Sequence, residues 1–587
     1  MLLLTRSSFL YPYNNWDDAN SYLSMGKSMM HGAVIYRDLF DQKGPYLYFL
    51  YGLSSLISRT DFAGVFAMEV LFGAIDLWLL RRILGLYCSG RTSLALAPIL
   101  FSCMCASKSF YWGGSAEELC LPFLLWPLYV LLRTLEEGNR FRKEAGSPKP
   151  AAAVGESPAA EDQGTSLCKG RGDRRDALSG GVHFRARDVF TAGLCCGVVF
   201  NIKFTLMGFY LAFAIAVILT CRSMREFRSL ALWYLLGILL PFVPWILYFA
   251  ANGALYDWYY VYIYTNVFVY SDFGANSHGE TMGSRIYDLA KLLYWLILDN
   301  YQYFVFILLG MAWMLLRRGV SLVLRLSPVL LFSLTFFFIY IGGATLPYYA
   351  VPLTILAAVG MGLVGSLIDR LAARLSRAKA KEAGAADKTQ EGRVTEGAVR
   401  GAAGPGAVTA KAEKIRGTKE TEETKKTKET KETKSRRSCL LTGLLVAGTS
   451  LFSLGICYHY SWNTYYLSYE KEDVFLFAFA ADIEADRAAG RADAGNATLL
   501  NIGCLDCGLY TAADIYPTCY WFQTQTLPGD EVTSEQLRYI TEAQTSYVVA
   551  RDTYPDAIYE HYELIDSFHQ VMGTTEFDYY LFRRMEE

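Results

Sequence analysis

Trp16-Asp17-Asp18-Ala19-Asn20, followed by Tyr36-Arg37-Asp38-Leu39-Phe40-Asp41-Gln42-Lys43-Gly44-Pro45, concentrates carboxylates, a lysine and an arginine in one short polar stretch. The rest of the chain has the opposite character. Of 587 residues, 53% are hydrophobic and 15% aromatic. Several apolar runs approach or exceed the ~20 residues that cross a bilayer. Charges cost free energy beside hydrocarbon, so a charged cluster kept at the membrane surface marks a candidate site. A net charge of −2 gives no reason to expect nucleic acid as a partner.

Outward from that stretch, the apolar runs give candidate spans at 62–84, 92–107, 118–133, 188–204, 205–221, 229–250, 291–316, 322–343, 348–371 and 439–458. Loops 81–91, 134–187, 221–228, 317–318 and 366–438 carry the Lys and Arg, and all share one side if the spans alternate. The positive-inside rule makes that side cytoplasmic. Residues 11–45, 108–116, 251–290, the turn near Tyr348 and the tail after Tyr458 then lie outside a multi-pass plasma-membrane protein. Met1-Leu-Leu-Leu-Thr reads as the last turn of a truncated first helix, and Met1–Leu10 carries no cleavable leader.

Pro45–Ile57 is apolar but too short to span, and is expected as an interfacial or re-entrant helix roofing the site. The tyrosines of 256–270 suit a helix at headgroup depth, with sugar stacking as the alternative. Residues 144–182 and 378–437 are too polar to offset chain entropy by burial. The tail 459–587 reads as a small α/β domain, with helices at 473–487 and 532–544 and strands at 498–502, 546–550 and 579–582. It has no Gly-rich dinucleotide loop. The expected division is a membrane domain, 1–371, with outer loop 11–45 and cytoplasmic insertion 134–187; a linker, 372–438; a last span, 439–458; and the outer domain, 459–587.

Most of the 13 cysteines, such as Cys103, Cys105, Cys195 and Cys196, lie in apolar helices and read as small buried hydrophobes. Cys504-Leu-Asp-Cys507 lacks the second pair a zinc site needs; an outer location would permit a disulfide there or to Cys519.

The block that runs from the acidic pair through Gly-x-x-x-Tyr-Arg-Asp-x-(Phe/Tyr)-(Asp/Glu)-x-Lys-Gly-Pro resembles the first outer loop of the GT-C membrane glycosyltransferases. The resemblance is to the family 39-like, polyprenyl-phosphate-sugar-dependent group, which includes protein mannosyltransferases and lipid A aminoarabinose transferases. Asp506-Cys-Gly-Leu-Tyr-Thr511 and Ile515-Tyr-Pro-Thr-Cys-Tyr-Trp-Phe522 resemble the periplasmic tail of its bacterial members. The resemblance implies a polytopic α-helical fold, about ten transmembrane helices plus the truncated first, with the outer α/β domain. It also implies inverting transfer of a sugar from an undecaprenyl-type phosphate carrier to a glycan, lipid or protein acceptor at the outer face, in contact with membrane lipids.

Such transfer needs a base for the acceptor hydroxyl and cations for the departing phosphate. Asp18 is the base that the resemblance implies, because the Asp-x-Asn-x-Tyr spacing of Asp18, Asn20 and Tyr22 is similar to the family's acidic position, with Asp17 as the alternative; capping of the following helix is the competing role for either. Lys43, Arg37 and Lys203 are the candidate phosphate ligands, with snorkelling to headgroups as the plainer role. Asp38 and Asp41 would orient these cations or the acceptor, or simply brace the loop. Glu117 and Glu118 form a second acidic pair whose placement resembles the family's second acidic loop, which implies a role in binding acceptor or donor, unless they only favour a helix N-terminus. His278 and Glu280 sit in a polar outer loop. No His, Cys and carboxylate spacing suggests a metal, and the resemblance implies transfer without a metal or cofactor; a divalent ion shared by Asp18 and Glu117 or Glu118 is the alternative. Two other classes compete: a transporter or lipid-linked-sugar flippase, which should carry broken helices and mid-bilayer charges beyond Glu69 and Asp76, and a non-catalytic envelope assembly factor, in which the loop carboxylates would be dispensable.

Overall fold

A computed structural model describes residues 1–110, 112–145, 183–269, 282–395, 440–491, 496–525, 527 and 529–586, without the side chains of 141–145, 282–283 and 379–395. His278, Glu280 and Tyr270 lie outside the described residues, as do 146–182 and 396–439.

Two short helices precede the first span. Helix α1 (Asp17–Met30) carries the acidic pair in its first turn, and α2 (Pro45–Ser55) starts on a proline whose fixed φ and missing N–H suit that position. They cross where Gly26 meets Gly52: a Cβ on Gly26 would collide with the Gly52 backbone, so only hydrogen fits. The expected non-spanning helix at 45–57 is thus α2, buried on its Leu47, Tyr48 and Tyr51 side.

The apolar helices follow: α3 (Ala63–Leu84), α4 (Gly90–Cys105), α5 (Ala116–Ala145), α6 (Ala186–Phe200), α7 (Met207–Thr220) and α8 (Met224–Ala251). After α9 (Leu255–Trp258) and a π-helix, Tyr259–Val269, come α10 (Met282–Asp299), α11 (Tyr301–Leu316), α12 (Leu322–Tyr340), α13 (Ala357–Thr395) and α14 (Leu440–Tyr460). Among the described residues six helical stretches are long and apolar enough to cross a membrane by themselves, or seven with the bent pair α10–α11; α4 and Phe204–Thr220 are shorter. Ser223 and Ser321 cap α8 and α12 by accepting from the backbone three residues on. Small residues let helices touch: Gly193 on α6 and Gly237 on α8 each face the other's backbone, leaving no room for a methyl group.

Three expectations change. The run 291–316 is not one straight span, because the chain bends by 114° between α10 and α11. Between them Asn300 is buried, with its side-chain oxygen accepting from the Ser109 backbone (2.9 Å) and hydroxyl (2.7 Å), which pins a polar break inside the run. The insertion at 134–187 does not begin at 134: α5 continues to Ala145, held where the Arg317 guanidinium grips Glu136 and Asn139 accepts from Ser321 N (2.8 Å). The stretch beyond 371 is helical to Thr395, since its Ala, Arg, Lys and Glu are strong helix formers.

The tail carries α15 (Phe475–Ala488), α16 (Leu509–Ala512) and α17 (Glu531–Thr541) on a four-stranded sheet of order β1-β2-β4-β3. Strands β1 (Leu499–Ile502) and β2 (Tyr547–Arg551) are parallel, and β4 (Thr575–Arg584) pairs antiparallel with both β2 and β3 (Tyr562–Met572). Expected strand 579–582 is the middle of β4. Strand β3 escaped notice because Glu563, Asp566 and His569 make it look like loop, although exposed and covered residues alternate along much of it. Cys504, Cys507 and Cys519 are buried free thiols, so the disulfide is not formed.

Candidate active site

The acidic pair splits. Asp17 and Asp18 occupy adjacent positions of α1, about 100° apart around its axis, so they serve different neighbours. Neither caps the helix, whose N-cap is Trp16, without a side-chain cap. Asp17 turns to the tail, where Arg551 at the end of β2 donates to it at 3.0 Å. Surrounding protein pushes the Asp17 carboxyl up to about 7, against the pull of Arg551, although 26% of its side chain stays exposed. Asp18 turns to the membrane domain: the Tyr348 hydroxyl donates to it at 2.8 Å, and Lys43 Nζ lies 3.8 Å away.

Lys43 reaches that place because of the residues after it. Gly44 N donates to the Ile202 carbonyl (3.2 Å) and Tyr46 N to the Asn201 carbonyl (3.1 Å). A Cβ on Gly44 would strike Asn201, so the Lys-Gly-Pro sequence lets the loop dock directly on the turn carrying Lys203. Lys203 is buried and forms an ion pair with Glu117, at the start of α5. Apart from that ion pair, neither Lys203 Nζ nor the Glu117 carboxylate has a hydrogen-bond partner among the described residues. The Lys203 ammonium lies 3.8 Å from the Tyr349 ring centre and 5.5 Å from that of Tyr348. Asp18, Lys43, Lys203 and Glu117 therefore gather around the Tyr348–Tyr349 pair. Tyr22 underlies Lys43, its ring centre 5.6 Å from the ammonium. Trp16 stacks on Trp112 (5.1 Å, 11°) and meets Tyr348 edge-on, walling the other side.

Other expected residues stand outside this group. Arg37 is exposed, with its guanidinium held by the Asp38 carboxylate (2.7 Å) and the Asn252 carbonyl (2.9 Å). Asp38 also accepts from Val34 N (2.7 Å), closing the tight turn in which Tyr36 takes φ +72°. The Arg37 ion pair holds the Asp38 carboxyl below its usual range. Asp41 is buried, accepting from Ser21 Oγ (3.0 Å) and Gln42 N (2.7 Å), and burial raises its pKa. Glu118 is buried beside Glu117 and accepts from Gly114 N at 2.7 Å. Among the described residues no three His, Cys, Asp or Glu side chains are grouped to hold a metal ion.

Sequence reasoning missed Tyr348, Tyr349 and Arg551. The tyrosine pair sits at the head of a span, where aromatic residues are ordinary, and Arg551 had no signal. It also missed how tightly the tail grips α1. Asp506 accepts from Ser24 (2.5 Å), Gln523 donates to Ser21 (2.7 Å), and Lys27 donates to the Tyr510 carbonyl (2.9 Å). The Asp506-to-Thr511 stretch is therefore a docking surface for α1.

No family model and no curated protein matches the sequence. Solved structures do. ArnT from Cupriavidus metallidurans in the apo state aligns over 99% of this chain and 96% of its own, with 14% identity and a TM-score of 0.51. The same protein bound to undecaprenyl phosphate aligns over the same shares, with 13% identity and a TM-score of 0.52. At that identity the likeness is one of fold, and it spans membrane helices and tail alike. The chain shares the fold of these ArnT structures: a multi-span helical membrane domain carrying a C-terminal α/β domain.

Proposed function

We propose that the protein is a membrane glycosyltransferase that moves a sugar from a polyprenyl-phosphate carrier to an acceptor hydroxyl at the outer face. The observation that carries this reading is the convergence of Asp18, Lys43 and the Lys203–Glu117 pair around Tyr348 and Tyr349. A carboxylate beside two ammonium groups suits a reaction in which a proton leaves one partner and a phosphate leaves the other. The fold shared with ArnT, which has been solved with undecaprenyl phosphate, supports the donor class.

In this reading the acceptor oxygen attacks the anomeric carbon while the bond from that carbon to the phosphate oxygen breaks. Asp18 takes the acceptor proton. Tyr348 fixes the orientation of Asp18 through its 2.8 Å hydrogen bond. Lys43 and Lys203 meet the growing charge of the departing phosphate, and the unmet donors of buried Lys203 are where an anion gains most. Glu117 holds Lys203 in place before the donor arrives. Asp17 acts through structure, by tying α1 to Arg551. Arg37 and Asp38 shape the loop turn.

Undecaprenyl phosphate binding by purified protein tests the phosphate assignment. Removing one charged hydrogen bond from a phosphate costs about 1.5–3 kcal/mol, so Lys43→Ala should weaken binding by about tenfold or more. Lys203→Met should do the same, and Asp18→Asn should not weaken it. Equal affinity in all four proteins would contradict the assignment.

A further inference from the structure

On α1, Lys27 lies nine residues beyond Asp18, roughly two and a half turns and so on the opposite side of the helix. There a cavity of about 320 Å³ opens between the ends of α1 and α2 and Tyr516 of the tail. Lys27, 1% exposed, stands 3.5 Å from Asp514, and Arg59 approaches the same carboxylate at 3.5 Å. Lys27 and Arg59 thus share the Asp514 carboxylate, while Lys27 also donates to the Tyr510 carbonyl and feels the buried Asp506 carboxyl. The carbonyl ends of α1 and α2 add partial negative charge at the same place. His31 adds a ring stacked on Tyr516 at 4.2 Å. Arg59 is more than half exposed, and its polar contacts among the described residues are Asp514 and the Tyr516 hydroxyl, both at 3.5 Å. The rim has a different chemistry. Leu56 and Ile57 are 70% and 66% exposed, a few residues before membrane-length helix α3 begins at Ala63.

We propose that this cavity holds the headgroup phosphate of an anionic membrane lipid, with Arg59, Lys27 and His31 facing the phosphate diester and Leu56 and Ile57 entering the acyl layer. A guanidinium fork matches phosphate oxygens, and paired apolar side chains beside it distinguish a lipid from a free ion. The site is separate from the Asp18 cluster, and it stands whether or not the chain transfers sugar. It would anchor the loop helices and the tail at a fixed depth in the interface.

Native mass spectrometry of the full chain released from mixed phosphatidylglycerol and phosphatidylcholine nanodiscs tests it. The native chain should retain phosphatidylglycerol preferentially, and Arg59→Ser with His31→Gln should cut that preference about tenfold without changing the thermal transition. Leu56→Ser with Ile57→Ser should reduce phosphatidylglycerol retention while leaving both charges in place, and this second variant decides the matter if the first fails to fold. An unchanged preference in both variants overturns the proposal. Full displacement of the lipid by excess inorganic phosphate, with Leu56→Ser and Ile57→Ser silent, also overturns it, since the pocket would then be a free-phosphate site.

Discussion

Two neighbouring aspartates in the first turn of α1 have different partners, and substitution should tell them apart. If Asp18 is the base, as proposed, Asp18→Asn keeps the shape and removes the base, so transfer should fall by about 10²–10⁴-fold with expression retained. Tyr348→Phe removes the hydrogen bond that aims Asp18 and should cost about tenfold in turnover while leaving donor binding intact. Asp17→Asn should cost far less activity and show instead as weaker docking of the tail, read by limited proteolysis. Equal losses in Asp17→Asn and Asp18→Asn would refute the division of roles. Asp18 and Lys43 could be picked out from sequence because both lie in one polar block among apolar runs. Tyr348 and Arg551 could not, since they reach α1 from 330 and 534 positions away, and no local pattern encodes such contacts.

At the scale of elements, the α1–α2 crossing and the grip of the tail on α1 are the joints that place the site. Gly26→Ala would push a methyl group into the Gly52 backbone, and overpacking of this kind costs about 1–3 kcal/mol; a lowered unfolding temperature in detergent, with reduced transfer, is the expected result. Docking of the tail should also depend on pH. Burial pushes Asp506 up from 3.8 to about 6 and Asp17 up to about 7. Both carboxyls hold their proton more tightly folded than unfolded. Stability from these groups is therefore full below about pH 4 and declines as pH rises towards 7. For Asp506 the shift corresponds to on the order of 3 kcal/mol. Unfolding followed from pH 4.5 to 7.5 should show that decline in the native chain and a shallower one in Asp506→Asn; parallel profiles would contradict it. Apart from β3 and the helical stretch beyond 371, element types were readable from apolar run length and from alternation. The break at Asn300 was not, because a single buried amide bends a run whose composition is otherwise that of a span.

For the whole molecule, the proposed orientation puts α1, the Tyr348 turn and the tail on one side of the bilayer and the Arg-rich loops on the other. A cysteine placed at exposed Glu576 should react with a membrane-impermeant maleimide added to intact cells. One at Arg318 should react only after permeabilisation; the reverse pattern would invert the topology. The fold was legible because length, apolar runs and charge sorting constrain it over hundreds of residues. The convergence of two loops and a tail on one helix was not, since it depends on packing between distant segments.

The central claim is that Asp18 serves transfer from a lipid-linked sugar, and lipid mass spectrometry in a strain lacking the protein tests it without knowing which sugar moves. The deletion strain should accumulate a polyprenyl-phosphate sugar. The native chain should clear it, and Asp18→Asn, present in the membrane at native level, should leave it in place. Clearance by Asp18→Asn to the native extent would contradict the account.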